Sequence, residues 1–232
     1  MKDFKEIRNR TITVLAVFTF SFIVGLWQYN KIFNFLMQLA PPGINLILSS
    51  PMASVMVIMN VAFLVAFVVT MPVLIYNVFK FVTPAMYLKE KSLIKKSVPA
   101  SIALFFLGVT INYFGVLKFG LPFMAKLGNS LGTPILWDIQ QFIQFIVLST
   151  LVAGILFQFP MLIHGAIRLN IVTAQQLSKY RLHVLITCII LASFLTPTTD
   201  AITMLFMATP MYLLYEGVLF VNKQSLEVNA TC

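Results

Sequence analysis

Charged residues are scarce in this sequence, and acidic ones most of all. Only 10% of the 232 residues are Asp, Glu, Lys or Arg, whereas about a quarter are charged in a typical soluble domain. Hydrophobic residues make up 59% of the chain. This composition excludes a soluble globular domain and indicates an integral membrane protein. At roughly 20 apolar residues for each span, the length allows about six helices and no separate soluble domain.

Residue patterns that support catalysis are also missing. The two cysteines, Cys188 and Cys232, form neither a Cys-x-x-Cys motif nor a metal-binding spacing, which argues against a thiol redox enzyme. The serines and histidines show no nucleophile motif, and the sequence has no nucleotide-binding loop. An intramembrane hydrolase is therefore the least expected class, and we expect no enzymatic activity, no cofactor and no metal.

Six apolar runs predict an all-α bundle of six transmembrane helices in a single domain, 1–232. The runs cover residues 11–29, 52–79, 97–117, 139–164, 182–196 and 201–221. The fifth and sixth runs predict short helices, and together with the kinked spans they predict a concave, thinned wall. The loops at 30–51 and 118–138 contain many turn residues, which predicts structured caps outside the membrane.

The basic residues lie mostly on one side of the predicted bundle. Thirteen of the sixteen Lys and Arg residues fall in the N-terminal segment, the segments 80–96 and 165–181, and the tail. By the positive-inside rule, both termini are cytoplasmic, or on the matrix or stromal side of an organelle. The pattern therefore fits a bacterial or archaeal cytoplasmic membrane, and equally a mitochondrial inner or thylakoid membrane.

Four short patterns occur in order along most of the chain. They are Glu6-Ile-Arg-Asn-Arg10, Phe81-Val-Thr-Pro-Ala-Met-Tyr-Leu-Lys-Glu90, Leu195-Thr-Pro followed by Asp200, and Pro210-Met-Tyr-Leu-Leu-Tyr-Glu216. In this order the set resembles the TatC family, the C subunit of the twin-arginine (Sec-independent) protein translocase. The resemblance implies a core subunit that exports folded proteins by the proton-motive force and binds their signal peptides on the cytoplasmic face.

A signal peptide with paired arginines needs carboxylates, because bidentate pairing to a carboxylate is the strong option for guanidinium. With the resemblance, we expect Glu6 and Glu90 to bind it, with Arg8, Phe81 and Tyr87 as further members of the site. Alternative interpretations stay open. Glu6 could be a solvated partner of Arg10 at i,i+4, and Glu90 could only lower the positive charge of the segment 80–96. The rings of Phe81 and Tyr87 could be interfacial anchors. Arg8 has an ordinary use in orientation, and Arg10 is expected to be structural.

Polar residues inside the membrane each need a partner or water. Gln158 stands where the family pattern commonly has Glu. Because an amide is neutral, it cannot act as a buried acid. We expect it to contact either partner proteins or neighbouring helices. Glu216 is expected to face a cavity, a partner or the cytoplasmic interface. Asp200 is expected to cap the sixth helix, and Pro84 and Pro197 are expected to be structural.

The partners that the resemblance implies are twin-arginine signal peptides of folded cargo and small single-span translocase subunits of the TatA and TatB type, with self-association and no nucleic acid. The alternative function is a six-helix secondary transporter of a small solute. Such a transporter favours paired broken helices in corresponding halves and charged groups at midplane. The sequence has no clear internal repeat and few deep polar groups, so the transporter remains the second choice.

Overall fold

The computed structural model of the chain is almost entirely helical and describes residues 2–82, 91–130, 136–168, 171–195 and 201–230. The helices before the midpoint are α1 (Lys2–Trp27), α2 (Tyr29–Met37), α3 (Pro51–Val82) and α4 (Lys91–Ile111), which continues into a π-helical segment (Asn112–Gly120) and α5 (Leu121–Asn129). The later helices are α6 (Ile139–Leu156), α7 (Phe159–Arg168), α8 (Ala174–Lys179), α9 (Arg181–Leu195) and α10 (Ala201–Ala230). Two short strands are β1 (Asn45–Ile47) and β2 (Leu136–Asp138).

Four helical stretches within the described residues have the length and apolar composition needed to cross a membrane. They are Lys5–Trp27, Pro51–Lys80, Ser97–Gly128 and Ile139–Ile167. A shorter apolar helix, Arg181–Ser193, follows them. The helix α10 contains the sixth apolar run, so the helices occur in the order that the sequence predicts.

Small residues allow the helices to pack closely. On α1, a Cβ atom at Gly25 would lie 2.9 Å from the Cα atom of Ala62 on α3. Between α4 and α6, a Cβ at Gly108 would lie 2.7 Å from the Phe157 ring, and one at Gly154 would lie 2.5 Å from the Phe105 ring. Glycine is therefore required for these contacts, as is common where membrane helices approach closely.

The two loops that face away from the termini are joined to each other. The strands β1 and β2 pair in parallel, with Asn45 opposite Leu136 and Ile47 opposite Asp138. Asp138 also caps α6, since its carboxylate accepts hydrogen bonds from the backbone N–H groups of Gln140 (2.7 Å) and Gln141 (3.3 Å). A hydrogen bond from Ser49 is the main cause that lowers the pKa of this carboxyl, and the bonds at the cap add to it. The predicted caps thus form one hydrogen-bonded unit.

Several boundaries differ from those of the apolar runs. The third span does not end in turns near 118: the π-helical segment and α5 carry it to Asn129, and Pro122 is tolerated because it lies at the start of α5. The fourth span is broken at Phe157 and Gln158, because Pro160 has no N–H and its ring clashes with the preceding turn. The helix that contains the sixth run is 30 residues long rather than short, because α10 continues to Ala230 through a tail that contains neither glycine nor proline.

Candidate functional site

The cytoplasmic ends of α1 and α3 are tied together through Arg10. This side chain forms an ion pair with Glu6 one turn earlier on α1. It also donates a hydrogen bond of 3.1 Å from Nη1 to the backbone carbonyl oxygen of Asn77 on α3. Arg10 is therefore a structural link between the two helices, as the sequence predicts.

Glu6 lies on the water side of this link. Its side chain is 47% exposed, whereas that of Arg10 is only 14% exposed. The i,i+4 pair that stood as the alternative reading of Glu6 is present, and it leaves about half of the glutamate surface accessible. Arg8 is exposed as well, but residues two apart on a helix do not face each other. The structure therefore does not bring Arg8 and Glu6 together on one surface.

The other predicted residues of the signal-peptide site lie at or beyond the end of α3. Phe81 belongs to the last turn of this helix, and its side chain lies outside the described residues, as do Pro84, Tyr87 and Glu90 altogether. Just before them, Lys80 lies over the ring of Tyr76, with Nζ 5.7 Å from the ring centroid. The Arg10–Asn77 bond sets Glu6 beside the helix end from which this segment departs.

Gln158 lies at the break between α6 and α7. Its Nε2 atom donates a hydrogen bond of 3.1 Å to the carbonyl oxygen of Ser101 on α4. Its backbone carbonyl accepts from Met161 and Leu162 at the start of α7. Gln158 thus ties the fourth span to the third, which is the structural use that the sequence left open beside partner contact.

Glu216 is held at the cytoplasmic end of the fifth and sixth spans. It accepts a hydrogen bond of 2.9 Å from the hydroxyl group of Tyr212 and forms an ion pair of 3.0 Å with Arg181, the first residue of α9. One residue before it, the hydroxyl group of Tyr215 donates to the carbonyl oxygen of Leu177 on α8. That Glu216 faces the cytoplasmic interface stays a prediction. Asp200 and Pro197 lie outside the described residues.

Sequence reasoning missed two partners in these clusters. Arg181 counts only toward orientation in the sequence, although it neutralises Glu216. Asn77 contributes a backbone carbonyl, and no residue type signals that contact. Asn112 forms a further interhelical contact, since its amide donates to the hydroxyl groups of Ser149 (3.3 Å) and Thr150 (3.2 Å) on α6.

Metal-binding groups are not assembled within the part of the chain that the structure describes: no three His, Cys, Asp or Glu side chains come close enough together to hold an ion.

The sequence and the fold both match known proteins over nearly their whole length. The family model described as "Sec-independent protein translocase protein (TatC)" matches residues 3–210. The TatCy protein of Bacillus subtilis is 29% identical over 96% of this chain and 88% of its own length, and TatC of Aquifex aeolicus is 28% identical over 94% and 92%. An uncharacterized tatC-like protein, ycf43 of Gracilaria tenuistipitata, is 27% identical over 94% and 91%.

Among solved structures, the twin-arginine translocase receptor TatC crystallised in DDM superposes with a TM-score of 0.81 at 26% identity. The match covers 95% of this chain and 99% of that one. Such coverage includes all six predicted spans, which makes the fold a multi-pass membrane bundle of this type. The chain belongs to the TatC family of Sec-independent protein translocase proteins.

Proposed function

We propose that this protein is the signal-peptide receptor and core subunit of a twin-arginine translocase, and that it performs no chemistry of its own. The observation that carries the receptor role is the half-exposed carboxylate of Glu6, set beside the end of α3. In the sequence, Glu90 follows the end of the same helix by eight residues. Two carboxylates on adjoining segments offer one partner to each guanidinium of an arginine pair.

The existing ion pair does not prevent Glu6 from binding a signal peptide. A carboxylate has about four lone-pair sites and accepts more than one guanidinium donor. Arg10 keeps its bond to the Asn77 carbonyl when a second arginine arrives. The exposed part of the Glu6 carboxylate is therefore open to an arginine of the peptide from the water side.

Gln158 and Glu216 are proposed to contact the single-span subunits of the TatA and TatB type. The Glu216 side chain is 29% exposed although Arg181 and Tyr212 bind it, so part of it remains open to a partner helix. The sequence contains no nucleotide-binding loop, so the energy for transport is proposed to be the proton-motive force. Gln158 is neutral and cannot itself carry a proton in that process.

Site-specific crosslinking to a signal peptide tests the receptor role. Photo-crosslinkers at positions 6, 81 and 90 are compared for peptides with Arg-Arg or Lys-Lys, with position 31 on the opposite side as the negative control. We expect strong crosslinks for Arg-Arg at the three cytoplasmic positions. The crosslinks weaken with Lys-Lys and with Glu90→Gln, whereas Glu227→Gln in the tail has no effect.

Two further variants separate the receptor role of Glu6 from its role as a partner of Arg10. Glu6→Gln removes the carboxylate, whereas Arg10→Gln keeps the carboxylate and removes its ion pair together with the bond to the Asn77 carbonyl. A receptor role predicts that Glu6→Gln weakens peptide binding while Arg10→Gln preserves it, because the freed carboxylate remains. Equal losses in both variants, or equal crosslinks for Arg-Arg and Lys-Lys, would contradict the proposal.

A further inference from the structure

A narrow cleft lies between α1 and α3 near their cytoplasmic ends. It has a volume of about 300 Å³ and is lined by Ile7, Arg10, Thr11, Val14, Leu74, Asn77 and Val78. From Ile7 to Val14, α1 rises about 10 Å. A helix of that length, about 10 Å across with its side chains, occupies roughly 800 Å³, which is more than the volume of the cleft. A single hydrocarbon chain is thin enough.

Apart from Arg10, the polar side chains that line the cleft donate their hydrogen bonds within their own helices. The hydroxyl group of Thr11 donates to the carbonyl oxygen of Ile7 (3.0 Å), and the amide of Asn77 donates to that of Val73 (2.8 Å). Both polar side chains therefore bond within their own helices. An extended peptide would bring unpaired N–H and C=O groups against an apolar wall, which costs several kcal/mol for each group in a membrane. An acyl chain brings none.

The one charged residue among the described residues that line the cleft is basic. Arg10 has five N–H donors, of which its bonds to Glu6 and Asn77 use two. Guanidinium groups bind phosphate with good geometry. Basic pockets between transmembrane helices on the cytoplasmic side suit anionic headgroups, because that leaflet is negatively charged.

We propose that this cleft binds an anionic phospholipid as a structural ligand. One acyl chain lies between α1 and α3, against Ile7, Val14, Leu74 and Val78. The phosphate group lies at the mouth, where it accepts hydrogen bonds from Arg10. The lipid would complete the packing of α1 on α3 and help to hold the end of α1, where Glu6 lies, in place.

Native mass spectrometry of the full chain in mild detergent, with phosphatidylglycerol or phosphatidylcholine added, tests this proposal. Val78→Phe fills the cleft, and Val69→Phe is its matched control, because both valines lie on α3 and both are 49% exposed. We expect Val78→Phe and Arg10→Gln to lower retained phosphatidylglycerol at least five-fold. Val69→Phe and Lys5→Gln leave it unchanged, and wild type retains little phosphatidylcholine.

Because Arg10 also links the two helices, Val78→Phe keeps the test independent of a loss of folding. Wild-type retention of phosphatidylglycerol by Val78→Phe would overturn the proposal. Equal retention of the two lipids by wild type would contradict the selection of an anionic headgroup by Arg10. A photo-crosslinker at position 78 that captures a signal peptide instead of lipid would assign the cleft to the peptide.

Discussion

Both glutamates whose side chains the structure describes are paired with an arginine, and the two pairs differ in geometry. Glu6 and Arg10 lie one turn apart on α1, whereas Glu216 and Arg181 join α10 to α9. An i,i+4 pair stabilises one helix by a few tenths of a kcal/mol. A pair between two helices also fixes their relative position, so its loss should affect the tertiary structure.

The Glu216–Arg181 pair is expected to couple the last two spans. Arg181 is 54% exposed and Glu216 is 29% exposed, so solvent screens the pair and a coupling energy of about 0.5–1 kcal/mol is reasonable. A double-mutant cycle with Glu216→Gln and Arg181→Gln, followed by thermal unfolding in detergent, measures it. Additive effects of the two changes would show that the pair contributes nothing to folding.

Asp138 is expected to make part of the stability depend on pH. Its pKa is lowered in the folded chain by the Ser49 hydrogen bond first and by the bonds at the α6 cap. The carboxylate therefore stabilises the fold above its ordinary pKa of about 4, and this contribution is lost as the pH falls through the lower folded value.

The measurement is the melting temperature of wild type and of Asp138→Asn, which keeps a capping side chain but no charge. We expect wild type to be the more stable at pH 7 and the difference to shrink as the pH falls toward 3. A difference that stays constant over this range would show that the charge of Asp138 does not contribute.

At the scale of elements, the contact between α4 and α6 depends on two glycines. Gly154→Ala places a Cβ 2.5 Å from the Phe105 ring, and overpacking of this kind costs about 1–3 kcal/mol. The controls are Gly165→Ala and Gly217→Ala, where a Cβ meets no described atom within 4 Å. Alanine there should be neutral or stabilise by up to about 1 kcal/mol, because it favours helix more than glycine does.

Thermal unfolding of these three variants in the same detergent compares them directly. Phe105→Leu in the Gly154→Ala background provides a rescue, since a smaller side chain relieves the contact. If Gly154→Ala behaved like the two control variants, α4 and α6 would not be in close contact at this position.

The sequence predicts helices of this fold well where a long apolar run is the whole signal. It predicts the ends of these helices poorly where local backbone geometry determines at which residue a helix ends. The π-helical segment Asn112–Gly120 has no residue pattern that distinguishes it from an α-helix. The strands β1 and β2 have three residues each, too few for an alternating pattern to be recognised. The break at Gln158 follows from Pro160, but only the structure shows that the amide bonds to Ser101.

For the whole molecule, the distribution of basic residues and the family fold give the same arrangement, with an even number of spans and both termini on one side. The candidate site follows in part from this arrangement, because it places the N-terminus of α1 and the end of α3 at the same surface. What the sequence does not predict is the contact that joins them. It runs from a side chain to the backbone carbonyl of Asn77, and every residue type has such a carbonyl.

The orientation is tested by thiol labelling of single-cysteine variants in sealed vesicles, after both native cysteines are replaced by serine. Lys5 and Lys179 are exposed on the predicted cytoplasmic side, and Lys31 and Lys126 on the other. We expect a membrane-impermeant maleimide to label cysteines at 5 and 179 in inverted vesicles, and at 31 and 126 in right-side-out vesicles. Labelling of positions 5 and 31 from the same side would mean that α1 does not cross the membrane, and the bundle would then have five spans with its termini on opposite sides.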